Sequence, residues 1–158
     1  MRRIVGLLVA LLVVAGAVPA MAKPEIHPPE YWELAFTEDG LCPFAVDVEL
    51  SGKEGAILFW EGDTIVRGIL TAPGFRAKLS ANGVEMDLSI SGSFHERYEG
   101  DLAIGKATGR NVLVGTFGGD PGMFLTIGKV EYEFDLVTED YTILNSHKMI
   151  DLCEVLAG

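Results

Sequence analysis

Residues 100–108, GDLAIGKAT, carry the one stretch that resembles a known chemical motif. A phosphate-binding loop is Gly, four residues, Gly-Lys and then Ser or Thr; it follows a strand and opens a helix at the lysine. Gly100, Gly105 and Lys106 have that spacing, but Ala107 stands where the metal-binding hydroxyl belongs and Thr108 comes one residue late. The local pattern also predicts the wrong element. Leu102 and Ile104 read as inward positions of a strand, with Asp101 and Ala103 on the opposite face. Gly100 and Gly105 then fall at or near the strand ends, Lys106 faces solvent, and Gly109-Arg110-Asn111 reads as a turn. The match is a coincidence of spacing, and no nucleotide cofactor is expected.

Other reactive residue types are sparse or scattered. The three histidines are His27 in a proline-rich stretch, His95 on the polar side of an alternating run, and His147 near a turn. They form no His-x-His or His-x-x-x-His spacing for a metal, and each reads as a surface residue. No Gly-x-Ser-x-Gly elbow occurs. Carboxylate pairs such as Glu85/Asp87 and Glu131/Glu133 lie two apart on wet strand faces; they suit solvation first and weak calcium binding second. No catalytic, metal or cofactor residue is assigned. Cys42 and Cys153, the only two cysteines, are expected to form a disulfide. Such a bridge closes a loop of roughly 110 residues, a constraint of about 4–5 kcal/mol on the loop-entropy model.

The compartment follows from the first 22 residues. Arg2 and Arg3 precede an uncharged apolar run, Ile4 to Val18, and Ala20-Met21-Ala22 supplies small residues before a cut. This is the layout of a secretory signal peptide, with cleavage expected between Ala22 and Lys23. No later run is long enough to span a bilayer, so the mature chain is expected to be secreted, or held in the cell envelope, without a transmembrane span. Losing the two arginines takes the net charge from −11 to about −13. That charge repels nucleic-acid phosphates and anionic lipid.

Three regions follow: the leader 1–22, an extended, acidic, proline-rich lead-in 23–41, and one domain over 42–158. In the lead-in, Pro28-Pro29 interrupts any regular element, while Tyr31, Trp32, Leu34 and Phe36 offer apolar surface for docking. From Phe44 onward the apolar period is two. Phe44, Val46, Val48 and Leu50 alternate with polar neighbours, as do Val84, Met86, Leu88, Ile90 and Phe94, and Val130, Tyr132, Phe134 and Leu136. These are half-buried strands. Less regular runs at 56–60, 64–70, 75–81, 101–106, 111–117, 123–128, 141–146 and 148–153 fill the gaps. Asn82-Gly83 suits a two-residue type I′ hairpin, and Gly62-Asp63 marks another turn. No stretch has helical periodicity.

The fold expected is all-β: an antiparallel meander of about eight to ten strands, closed into an up-and-down, lipocalin-like barrel. A β-sandwich is the alternative. Closure removes exposed edges, and Cys42 and Cys153 flank the first and last core strands, where a bridge would pin the closing seam. The inward residues are large, which favours a packed interior; a cavity for one small apolar ligand is the other outcome.

The segments CPFAVDVELSG (42–52), SGSFH (91–95), ATGRNVL (107–113), GMFLTIGKVEYEFD (122–135) and IDLCEVL (150–156) together resemble a group of small exported actinobacterial proteins. The resemblance implies an exported, all-β, disulfide-containing domain and transfers no catalytic residue. The leading functional expectation is a non-enzymatic exported barrel that binds a small apolar ligand or a cell-envelope component. A structural or interaction protein acting through its acidic surface is a second reading. A barrel enzyme of isomerase or cyclase type, with His95 and His147 as its first candidates, is a third.

Overall fold

The computed structural model describes residues 23–117, 119–138 and 141–158. The expected leader, with Ala22 of its cleavage site, lies outside the described residues. The chain forms ten strands and a single short helix among these residues. They are β1 (Lys23–Glu38), β2 (Val46–Glu61), β3 (Thr64–Thr71), β4 (Arg76–Ala81), β5 (Val84–Ser89), β6 (Ser93–Glu99), β7 (Leu102–Thr108), β8 (Arg110–Phe117), β9 (Asp120–Asp135), β10 (Tyr141–Asp151) and α1 (Leu152–Leu156). The all-β class and the strand count agree with the sequence.

Two strands of 16 residues organise the sheet. Along β2, one edge carries β1 for nearly its whole length. The other edge is shared in tandem by β4, opposite Asp47–Ser51, and β3, opposite Gly55–Glu61. β9 repeats the plan: β10 runs along one edge, while β8 and then β7 share the other. Pairing of β3 with β6, and of β6 with β7, joins the halves. The runs at 44–51 and 56–60 are thus one strand, as are 123–128 with 130–137 and 141–146 with 148–153. Nearly all pairs are antiparallel; Tyr141 and Thr142 of β10 also pair in parallel with Gly115 and Thr116 of β8.

The expected closed up-and-down order is corrected here. The sheet runs β10-β8-β9-β7-β6-β3-β2-β4-β5, and among the described residues no ladder joins β5 to β10. Helix α1 follows β10. Asp151 caps it, its side chain accepting from the backbone N–H of Cys153 and Glu154. Leu152 and Leu156 are fully buried in the core, and Asn82 Nδ2 donates to the Leu156 carbonyl at 3.0 Å. Cys42 and Cys153 are bonded, with Cα atoms 5.3 Å apart. The bridge therefore links the connection between β1 and β2 to the helix after β10. Helix α1 was missed because five residues are too few to show a period.

Residues 23–38 of the lead-in are built into the sheet as edge strand β1, the two prolines included. Its register breaks between His27 and Glu30, at the two prolines, which lack the N–H that a ladder needs. The Asn82-Gly83 turn has positive φ at both residues, 51° and 80°, between partners Ala81 and Val84, as a type I′ turn requires.

Two apolar clusters fill the molecule. The larger gathers Val46, Val48, Leu79, Leu88 and Ile90 against Met123, Leu125 and α1. The smaller holds Ala107, Leu113, Phe124, Val130, Tyr132 and Ile143. Met123 and Leu125 face one cluster and Phe124 the other, so this part of β9 is buried on both faces. A strand covered twice needs no polar side, which explains the irregular run GMFLTIG.

Candidate functional site

The segment 100–108 lies where a strand was expected, but its faces are reversed. Ala103 and Ala107 are fully buried, and Lys106 is exposed. Gly105 sits in mid-strand, directly opposite Tyr132 of β9. A methyl group on Gly105 would lie far inside contact distance of Tyr132 Cζ. The small residues make a trough that this large ring fills, so the inward positions are Ala103, Gly105 and Ala107, and the larger Leu102 and Ile104 face outward. Only Gly100, in the turn between β6 and β7, lies at an end.

That trough holds a polar cluster the sequence reading missed. Reading across the sheet, Leu58, Gly68, Glu96, Gly105 and Tyr132 are successive register partners, and directly opposed residues share a face. Glu96 thus lies between two glycines, with a tyrosine ring over each. A Cβ on Gly68 would meet Tyr98 Oη at 3.0 Å. Tyr98 donates to Glu96 Oε2 and Tyr132 donates to Glu96 Oε1, both at 2.7 Å. Bonds this short tie both rings firmly to Glu96. Burial first, then Glu96, lifts both phenols well above the ordinary tyrosine range. With each carboxylate oxygen occupied, the cluster is a structural anchor for three strands. Its signal was present in the sequence: the alternation ending at Phe94 continues inward through Glu96 and Tyr98.

Rings connect this anchor to an interior cavity. Tyr132 packs edge-on against Tyr141 with centroids 5.1 Å apart, and against Phe94 at 6.1 Å. Tyr141 and Phe94 in turn line a cavity of about 340 Å³ between the two halves of the sheet. Trp32 and Phe36 of β1, Val48 and Leu50 of β2, Phe75, Leu79, Ile90 and Met123 supply most of its apolar wall. Phe36 and Val114 both line the cavity and remain 41% and 37% exposed, so they mark its rim. Trp32 stacks on Phe75 at 4.8 Å.

The cavity's polar groups are few. Glu38 and Glu54 reach it from β1 and β2. Trp32 Nε1 donates to Glu54 Oε2 at 2.9 Å; Oε1 has no partner among the described residues. The Tyr141 hydroxyl is pushed up to about 12, by burial first and then by Glu96 and Glu54. Asn111, 2% exposed, donates its amide to the Thr108 carbonyl. The volume lies at the small end of the range for ligand pockets, about 300–1,000 Å³, and the mostly apolar wall with a few polar groups matches their usual make-up.

The histidines and carboxylate pairs singled out from sequence are not brought together. His27 is exposed beside Glu25, His95 faces outward from β6, and His147 lies exposed on β10 where its register shifts. Asp87 pairs with Arg76 at 2.8 Å, and Glu131 with Lys129 at 2.7 Å; hydrogen bonds from those partners hold both carboxyls below the ordinary range. Among the described residues no cluster of His, Cys, Asp and Glu is arranged to hold a metal. Compared with known proteins, the chain matches no protein family, no curated protein and no solved structure. The functional reading therefore rests on geometry.

Proposed function

We propose that this is an exported binding protein whose coiled sheet works as an incompletely closed barrel around one small apolar ligand. The cavity between the sheet halves carries the reading. It is lined by aliphatic and aromatic side chains from both halves, and it opens at Phe36 and Val114. The disulfide suits an oxidising compartment.

Ala72 lines the cavity and is the smallest residue to do so. Ala72→Trp should fill the space. Protein purified from its own host should carry a bound apolar molecule in native mass spectrometry and solvent extraction. It should also bind a neutral naphthylamine dye at one site, and Ala72→Trp should lose both while keeping its β-sheet circular dichroism. Wild-type protein that carries no molecule and takes up no dye would overturn the proposal.

A further inference from the structure

The cavity's polar groups narrow the ligand class. Glu38 and Glu54 are its two ionisable carboxylates, and no basic side chain lines it among the described residues. Neither carboxylate is ion-paired among the described residues, and Glu54 keeps one oxygen free. A carboxylate facing an apolar wall loses hydration, and a cation that enters beside it restores the lost interaction. The neighbouring rings favour the same charge. Trp32 touches Glu54, and an indole face attracts a cation more strongly than any other side-chain ring. An anion would meet two carboxylates inside and a strongly acidic surface outside.

Resting on the cavity reading above, we infer that the ligand is an amphiphilic cation: an amine, or a quaternary ammonium, on a compact apolar body. The positive head sits by Glu54 and Trp32, and the apolar body lies along Leu50, Phe75 and Met123. An ammonium with N–H groups can donate to Glu54 Oε1; a quaternary one relies on charge and the indole face.

The test uses the mature chain at 0.15 M salt, with n-octylammonium, n-octanol and octanoate as probes, followed by calorimetry and by tryptophan fluorescence. Octylammonium should bind about tenfold or more tightly than octanol, with octanoate weakest. Glu54→Gln keeps an acceptor for Trp32 and should remove most of that preference, with unchanged β-sheet circular dichroism showing that the variant is folded. Octanol binding as tightly as octylammonium would overturn the inference and leave the cavity reading standing. A preference undiminished in both Glu54→Gln and Glu38→Gln would also overturn it, because the general acidity of the surface would then explain the result. If none of the three probes binds, the cavity reading falls and this inference with it.

Discussion

Glu96 shows how a single inward carboxylate is made tolerable. Its two oxygens accept from Tyr98 and Tyr132 at equal distance, which offsets the cost of a half-buried acceptor. The phenols are held in their protonated form as a consequence. For Tyr98, Tyr132 and Tyr141 the folded state raises the pKa above the ordinary value near 10. The stability this supplies is complete below about pH 10 and is lost as pH rises through the folded-state values. Absorbance titration should show these phenols ionising late and together with unfolding, and stability should fall steeply from about pH 10 upward. Reversible ionisation of all of them near pH 10, with native circular dichroism retained, would contradict the assignment. The sequence contained the clue to Glu96 in its period. It held no clue to the two phenols meeting there, because Tyr132 comes from a strand 36 residues away.

Among the elements, β7 and β9 were read with opposite success. In β9, Val130 and Tyr132 are buried as the alternation predicts, because a ring or a branched side chain announces the core side by itself. In β7 the larger residues Leu102 and Ile104 point outward, and Ala103, Gly105 and Ala107 point in. Size misleads there because the space beside β7 is already filled from β9. Gly105→Ala should therefore cost about 1–3 kcal/mol, the usual penalty of overpacking a filled core. Lys106→Ala, on the exposed face, should change stability by less than about 0.5 kcal/mol. Urea midpoints of the two variants check the faces directly; equal midpoints would mean that β7 is assigned the wrong way round. The long strands β2 and β9 were read as pairs of shorter runs for a related reason. A change of neighbour along one edge, from β4 to β3 or from β8 to β7, alters the burial pattern without ending the strand.

For the whole molecule, the disulfide matters because the ladders leave a gap. Among the described residues β5 and β10 end the strand order without pairing to each other; Cys42–Cys153 ties the β1–β2 connection to α1, and the Asn82–Leu156 bond ties α1 to the β4–β5 turn. Native protein should show no free thiol by mass after alkylation. Reduction, or paired Cys42→Ser and Cys153→Ser substitutions, should lower unfolding free energy by about 4–5 kcal/mol for a loop of this length. A loss below about 1 kcal/mol would mean that packing alone holds α1 in place.

The sequence by itself determined the β class, the strand faces wherever large and polar residues alternate, the Asn82-Gly83 turn and the cysteine pair. Each of these is a local preference or an elimination among few residues. Only the tertiary structure decided the strand order, the unpaired ends of the sheet, the half-buried Glu96 and the cavity with its two acidic groups. Strand order and interior volume depend on which distant strands share an edge and on how their side chains fill one space. A period of two assigns a side chain to a face, but not the partner that the face will meet.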